Sequence, residues 1–196
     1  WVRMSFTNQN DAVSKLKAMM MESREIAVNY MTPLGLHHIM YAGHHYGPGP
    51  WVSSGRKDWT SVYYHRADTL GIGFDRTASG SNAIAQYFSG PRDLYSNRET
   101  CPDNLLLWFH HVPWDYKMRS GRTLWDEMCY KYNNGVKGVR KLREEWKSLS
   151  AVIDSGRFEA VDKLLVMHER DARIWKDGCL LYFQTFSRKP FPPEIE

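Results

Sequence analysis

The sequence is poor in cysteine and lacks every cysteine pattern that would define a metal site or a disulfide framework. Its three cysteines, Cys101, Cys129 and Cys179, are far apart and form no CxxC motif. We expect them to be reduced and mostly buried, which favours a cytoplasmic location. A secretory signal, an Asn-x-Ser/Thr site and a hydrophobic run long enough to cross a membrane are also lacking, so we expect no membrane partner. The chain begins at Trp1 within an apolar pattern, which indicates a piece of a larger protein.

A basic stripe is missing as well. The net charge is +4, but residues of both signs alternate along the predicted helices, so we expect no nucleic-acid partner. Apolar residues make up 42% of the chain and charged residues 24%, which is typical of a folded globular protein. At 196 residues the chain can bury a substantial core, and we predict a single domain over residues 1–196.

Catalytic motifs are the third absence. The histidine pairs match no metal-binding spacing, no HExxH sequence is present, and we predict no metal site. The stretch GIGFDRTASGSNA lacks the spacing of a phosphate-binding loop, and no hydrophobic strand precedes it. Several aspartates have no evident carboxylate partner and could equally be turn formers or helix caps: Asp58, Asp68, Asp75, Asp115 and Asp126. The residues alone therefore indicate a binding surface rather than a complete catalytic site.

What the chain has in excess is aromatic side chains, above all in residues 34–68, which we call the aromatic segment. It holds five of the eight histidines, several tyrosines and tryptophans, and seven glycines or prolines that exclude regular structure over much of its length. Aromatic faces beside hydrogen-bonding groups are what a site for a flat polar ligand, such as a sugar or a nucleobase, requires. The alternative is a loop whose aromatic residues fill a gap between helices.

Helical periodicity is clear elsewhere, and it predicts a mainly α fold. A shorter N-terminal helix should begin among residues 8–11 and end near Tyr30, with Met20 among the residues of its buried stripe. Residues 124–149 and 158–186 should form two long helices packed as an antiparallel hairpin, and Thr123 with Asp126 should cap the first. We further expect a short extended piece over residues 59–64 and a short helix over residues 81–88.

Five stretches of the sequence resemble the C-terminal region of the family 67 glycoside hydrolases, the α-glucuronidases of xylan breakdown. They are HHYGPGPW, DWTSVYYHRAD, GIGFDRTASGSNAIAQY, LLLWFHHVPWDYKMRSGRTLWDE and CLLYFQTFSR. The resemblance runs from Trp1 to about Pro192. It implies the helical end of a larger enzyme, in which an α/β domain and a (β/α)8 barrel lie upstream.

Such enzymes remove (4-O-methyl)glucuronic acid from xylooligosaccharides with inversion, and the resemblance implies no metal or organic cofactor. Because the family's catalytic carboxylates lie on the barrel, we assign no catalytic residue here and expect the chain alone to be inactive. The resemblance also implies contact with the barrel and a homodimer. The two long helices carry aromatic side chains around more than one face, and those outside the buried stripes would form an exposed patch that favours association, so we expect this domain at the dimer interface. These residues are Trp125, Tyr130, Trp146, Trp175, Tyr182 and Phe183.

The resemblance places substrate-binding residues in the aromatic segment. Trp51 or Trp59 should offer its ring to a xylose unit, and the sequence does not choose between them. We expect the neighbouring wall to consist of His44, His45, Tyr46, Tyr64, His65 and Arg66. Arg66 could bind the uronate carboxylate or simply pair with Asp68. The rival hypothesis is a stand-alone carbohydrate-binding or protein-interaction module.

Overall fold

A computed structural model describes residues 1–195 and shows a mainly helical domain. The helices and the two short strands follow one another along the chain as α1 (Val2–Ser5), α2 (Asn10–Met31), α3 (Ser61–His65), β1 (Gly71–Ile72), α4 (Ser89–Ser96), α5 (Leu106–Phe109), β2 (Val112–Pro113), α6 (Leu124–Lys147) and α7 (Ser155–Ser187). Short 3-10 turns at Pro33–Gly35, Lys57–Trp59, Ala83–Gln86 and Asp103–Leu105 lie between them.

The long helices α6 and α7 form the predicted hairpin. Thr123 caps α6, because its hydroxyl oxygen accepts a hydrogen bond from the Asp126 amide at 3.1 Å. Asp154 caps α7 in the same way, accepting from the Arg157 amide at 3.0 Å. The predicted apolar stripe of α6 is buried throughout, and the core continues through Ala172, Trp175 and Cys179 on α7. The stripe consists of Leu124, Met128, Tyr132, Val136, Val139, Leu142 and Trp146, and continues to Leu149 just after the helix. The mainly α class and the hairpin are therefore confirmed.

The aromatic residues on the two long helices do not form the exposed surface that we expected. Trp125, Trp146, Trp175 and Phe183 are at most 3% exposed, so they belong to the core of this domain. The indole N–H groups of Trp125 and Trp146 donate to the carbonyls of Pro190 and Phe158 at 2.8 and 3.1 Å, which satisfies them inside that core. For these four residues the prediction of a subunit interface is wrong, whereas Tyr130 and Tyr182 are half-buried and the homodimer itself stays a prediction.

Helix α2 packs along α6 at two glycines. A Cβ atom on Gly135 would lie 2.5 Å from the Tyr30 backbone nitrogen, and one on Gly138 would lie 2.8 Å from Ile26 Cγ1. The glycines that weaken α6 locally therefore allow α2 to approach closely. The buried stripe of α2 includes Met19 rather than Met20, whose exposed fraction is 51%. Residues 19–21 are all methionine, so no polar residue among them indicates which one faces solvent.

Two short elements differ from the sequence-based expectation. Residues 59–64 are not extended: a 3-10 turn ends at Trp59 and helix α3 begins at Ser61. Residues 81–88 contain only the 3-10 turn Ala83–Gln86, while a regular helix, α4, begins one residue later at Ser89. Gly90 and Pro91 discouraged a helix there, but proline is compatible with a first helical turn because the amide it lacks has no partner inside the helix.

Candidate functional site: the aromatic segment

The first half of the aromatic segment lies on the C-terminal part of α7. The buried indole N–H of Trp175 donates to the Tyr46 carbonyl at 3.0 Å. Gly178 leaves room for Pro48, since a Cβ atom there would lie 3.0 Å from Pro48 Cγ. A glycine and a tryptophan, three residues apart on one helix face, thus fix a loop that has almost no secondary structure of its own.

His65 holds the second half of the segment and is buried, with an exposed fraction of 1%. Its Nδ1 accepts a hydrogen bond from the Ala67 amide at 2.9 Å, so Nε2 carries the proton and donates to the Pro50 carbonyl at 2.8 Å. Its ring also packs against Tyr182 and Phe183. Burial lowers the pKa of His65 to about 4, and the bond to Pro50 opposes this only partly. The imidazole itself is enclosed, and its hydrogen bonds tie the backbone directly before Trp51 to the end of α3.

Trp51 stands directly after this anchor, with 47% of its surface exposed. The Val52 amide donates to the Gly49 carbonyl at 3.0 Å and closes a turn around it, and the Val62 amide donates to Val52 at 3.2 Å. The Trp51 ring meets Tyr182 edge-on, with 6.3 Å between the ring centroids. An indole fixed at its edge and open elsewhere can offer a face to a ligand.

Trp59 is more exposed, at 63%, but its ring already has a partner. The Arg56 guanidinium lies over it, 5.2 Å from the ring centroid. Arg56 is held there by two hydrogen bonds to the Asp58 carboxylate, of 2.7 and 2.9 Å, and these bonds lower the pKa of Asp58. Trp59 therefore has one face occupied by a cation in this structure.

The remaining predicted wall residues fall into two groups. His44 lies between Tyr41 and Tyr46, with ring centroids 5.0 and 5.6 Å apart, and this ladder is exposed together with His45. Tyr64 belongs to the other group: its hydroxyl donates to the Asp58 carbonyl at 3.1 Å, and its ring stacks with Trp108 at 6.5 Å. The structure brings Tyr64 near Trp59, whereas the ladder lies beside the part of the loop that α7 holds.

Two residues from outside the segment, Trp108 and Arg76, complete the Tyr64 side of this surface. The Arg76 guanidinium lies 3.7 Å from the centre of the Trp108 ring and donates to the Trp108 carbonyl. Partial burial lowers the pKa of Arg76. Neither residue is recognisable from the sequence, because Trp108 lies in an apolar run and Arg76 in a glycine-rich turn, and neither setting carries a local signal for the site.

Arg66 does not pair with Asp68. Its guanidinium lies over the Phe74 ring at 3.9 Å. Asp68 instead accepts hydrogen bonds from the amides of Leu70 and Gly71, at 2.8 and 2.9 Å. The simple explanation of Arg66 as a partner of that aspartate is therefore wrong, and its role in ligand binding stays a prediction.

The five aspartates considered above all have structural partners. Three are now placed: Asp58 binds Arg56, Asp68 caps a turn, and the Asp126 carboxylate accepts from the Thr123 hydroxyl at 2.7 Å. Asp75 accepts from the hydroxyls of Thr77 and Ser79, and Asp115 forms an ion pair with Lys189. Across residues 1–195, each carboxyl group with a resolved shift has a lowered pKa, which is the opposite of what a general acid needs.

Metal-binding and membrane-spanning features can be described for the same residues. Within residues 1–195, no three side chains of histidine, cysteine, aspartate or glutamate are grouped so as to hold a metal ion. No helix in that range is both long and apolar enough to span a bilayer. The three cysteines are free and buried, as expected.

Comparison with known proteins identifies the class of domain. The family description "Glycosyl hydrolase family 67 C-terminus" matches residues 1–196. The chain is 33% identical over 195 residues to "Alpha-glucuronidase A" of Emericella nidulans, covering 97% of the chain and 22% of that protein. It is 32% identical to the protein of the same name from Aspergillus tubingensis and 34% identical to "Probable alpha-glucuronidase A" of Aspergillus fumigatus, with coverages of 97% and 95% of the chain and 22% of each relative.

The chain therefore belongs to glycoside hydrolase family 67 and corresponds to the C-terminal part of that family. It spans about a fifth of the length of these relatives. The resemblance found in the sequence is confirmed.

Proposed function

We propose that this chain is the C-terminal domain of an inverting α-glucuronidase that releases (4-O-methyl)glucuronic acid from xylooligosaccharides. Its own task is to complete the sugar-binding cleft with Trp51 and to support the catalytic barrel. Two findings support this: the related proteins are named α-glucuronidases, and the chain covers 22% of their length. The acid and base of the reaction would then come from the remaining part of the enzyme, which agrees with the structural partners of the aspartates described here.

The observation that carries the proposal is that the backbone leading to Trp51 is held rigidly while its indole is exposed. Pro48, Gly49 and Pro50 are buried, and His65 and α7 hold them from two sides, so the exposed indole needs little further ordering when a ligand binds. Stacking suits a pyranose, because its axial C–H face is apolar while its hydroxyl groups remain free at the edge. Trp51 is the better candidate of the two tryptophans, since Arg56 already covers a face of Trp59.

The test compares two tryptophan variants in the full-length enzyme. We expect Trp51→Ala to raise KM with little change in kcat, through a binding loss of roughly 1 to 3 kcal/mol by analogy with stacking on nucleobases. Trp51→Phe should retain part of that binding, and Phe88→Ala serves as the control because Phe88 is 90% exposed outside the segment. If Trp51→Ala and Trp59→Ala both leave kcat/KM unchanged in stable protein, the segment is scaffold and the proposal fails.

We also propose that the enzyme is a homodimer that uses the outer face of α7. In place of the buried aromatic residues, that face carries exposed aliphatic side chains spaced three and seven residues apart. Leu164, Met167, Ile174 and Leu181 are 63%, 59%, 45% and 57% exposed. An apolar stripe at this spacing, running along a helix of 33 residues, has the pattern of a helix–helix contact, and a second copy would cover it symmetrically.

Light scattering on the full-length enzyme at micromolar concentration tests the dimer. We expect the wild type to be dimeric and the double variant Ile174→Asp, Leu181→Asp to be monomeric. Leu94→Asp is the control, since Leu94 is also exposed, at 42%, but lies on α4. A monomeric wild type would contradict the proposal, as would a double variant that remains dimeric.

A further inference from the structure

A cavity of about 500 Å³ opens beside the end of the aromatic segment. Its walls include Arg66, Asp68, Phe74, Asp75 and His111. It therefore lies where the chain leaves α3 and enters the paired strands β1 and β2. A cavity of this volume is within the usual range for small-ligand sites, roughly 300 to 1,000 Å³. Of these cavity residues, only Arg66 also belongs to the predicted wall beside Trp51.

Arg66 supplies fixed hydrogen-bond donors to this cavity. The residue has a left-handed backbone with φ of 44° and ends α3. Its guanidinium is held over Phe74 at 3.9 Å, and its Nε donates to the Tyr63 carbonyl at 3.3 Å. Among residues 1–195, its two terminal nitrogens have no hydrogen-bond acceptor, so they remain available to a ligand.

Asp68 and His111 supply polar atoms opposite Arg66. Oδ1 of Asp68 accepts the amides of Leu70 and Gly71 and lies 3.5 Å from His111 Nε2, while Oδ2 makes no hydrogen bond within the described part of the chain. The Gly73 carbonyl lies 2.9 Å from His111 Nδ1, and a carbonyl can only accept, so Nδ1 donates to it. The second ring nitrogen, Nε2, lies on the Asp68 side.

The mixture of charges limits the kind of ligand. The carboxylates of Asp68 and Asp75 disfavour an anion, and the Arg66 guanidinium disfavours a cation. A neutral ligand with several hydroxyl groups suits both, because each hydroxyl can donate to a carboxylate and accept from a guanidinium. The chemistry of the cavity therefore favours an uncharged sugar over the uronic acid itself.

A second hollow adjoins this cavity at Arg66, which lines both spaces. It measures about 420 Å³, and Tyr63 and Ser53 border it, the latter two residues after Trp51. Val62 also borders the hollow, and its amide donates to the carbonyl of Val52, the residue after Trp51. Trp51 itself borders neither space, so these backbone contacts are what relate the cavity to the tryptophan.

We propose that the Asp68–His111 cavity is a distal subsite for an uncharged xylose unit of the xylooligosaccharide main chain. The inference rests on the proposed function for the identity of the sugar. Its consequence is a length preference: oligosaccharides long enough to reach the cavity bind more tightly than short ones that end at Trp51.

The experiment uses the full-length enzyme and two conservative variants. Asp68→Asn retains an Oδ1 acceptor for the Leu70 and Gly71 amides but loses the free carboxylate oxygen. His111→Asn retains a donor for the Gly73 carbonyl but loses Nε2. Asp93→Asn is the control, because Asp93 is exposed on α4 and borders neither hollow. Titration calorimetry measures binding of unsubstituted xylobiose and xylopentaose, and kcat/KM is measured on uronosyl derivatives of the same two chains.

We expect wild type and Asp93→Asn to bind xylopentaose roughly three- to tenfold more tightly than xylobiose, the value of one or two hydrogen bonds. Both cavity variants should lose this gain and keep wild-type values for the short chain. Equal affinity of the wild type for the two oligosaccharides overturns the subsite, as does a gain that persists in both variants. A wild-type enzyme that releases no uronic acid would refute the proposed activity. The subsite would still be supported if that enzyme binds xylopentaose more tightly than xylobiose and both cavity variants lose the difference.

Discussion

Replacement of His65 should alter how the stability of the chain depends on pH. The buried imidazole is neutral, donates to Pro50 and accepts from Ala67, and its pKa is lowered to about 4 by burial. A proton on Nδ1 would leave the Ala67 amide facing another donor and place a charge beside Tyr182 and Phe183. Acid therefore weakens the anchor that holds Trp51.

The sign and size follow from the two pKa values of this group. Above pH 6.5 the side chain is neutral in both states, and its ionisation does not affect the free energy of unfolding. Between pH 6.5 and about 4, the unfolded chain takes up a proton that the folded chain refuses, so stability falls as the pH falls. At roughly 1.4 kcal/mol per pH unit, the loss amounts to about 3 kcal/mol and is complete below the folded pKa.

Urea unfolding of the wild type and of His65→Phe, followed by tryptophan fluorescence between pH 7.5 and 4, measures this loss. Phenylalanine keeps the ring contacts but cannot be protonated. At pH 7 we expect the variant to be less stable than the wild type, by about 1 to 3 kcal/mol for each of the two backbone groups left unpaired, the Pro50 carbonyl and the Ala67 amide. On acidification we expect the variant to lose less stability than the wild type. Burial also lowers the pKa of His37, His110 and His168, so some loss should remain in both proteins.

Exposed His44 provides the matched control, and His44→Gln should lose stability in parallel with the wild type. Equal losses between pH 7 and pH 4 in wild type and His65→Phe would show that His65 is not held neutral by burial. The reasoning about the anchor would then be wrong.

Two further predictions concern the long helices. Gly135→Ala should destabilise the chain by roughly 1 to 3 kcal/mol, because the new Cβ would lie 2.5 Å from the Tyr30 backbone nitrogen. Gly156→Ala is the control: its Cβ would meet nothing closer than 3.5 Å, so the variant should be neutral or slightly stabilising. A Gly156→Ala protein that unfolds at a lower temperature than Gly135→Ala would contradict this. Thr123→Ala should lose roughly 0.5 to 2 kcal/mol with the α6 cap, and Thr123→Ser should restore most of it, so equal losses in the two variants would show that the cap contributes little.

The long helices were predictable because their apolar stripes repeat over many turns. In α6 the stripe from Leu124 to Trp146 leaves one consistent phase, and the Thr123 cap fixes the start. In α2 the methionine run left the phase open by one residue. The aromatic and β-branched side chains of residues 59–64 favour a strand, but six residues are too few for a periodic pattern to distinguish a strand from a helix. The helical conformation of α3 is accompanied by contacts of His65 with α7 and Pro50, which are tertiary and cannot be read from the local sequence.

The site was predictable as a segment but not as a surface. Trp51 and its proline mounting could be recognised locally, because glycine and proline exclude regular structure. The partners of the segment could not: Trp175 and Gly178 come from more than a hundred residues downstream, and Trp108 and Arg76 are joined to Tyr64 only by the fold. His65 looked like a wall residue, and only its burial distinguishes the anchor from the ladder histidines.

Four residues of the aromatic segment have left-handed backbones without being glycine: Leu34 and three residues with polar side chains. The φ values of His38, His45 and Arg66 are 55°, 62° and 44°. Each such residue stores strain on the order of 1 kcal/mol that glycine would avoid. Substitution by glycine at these three positions should therefore make the backbone more stable while removing an imidazole or guanidinium from the surface. On the proposed function, thermodynamic stability and ligand recognition oppose each other in this segment, so a search for heat-resistant variants that does not also assay sugar binding would tend to remove side chains of the proposed surface.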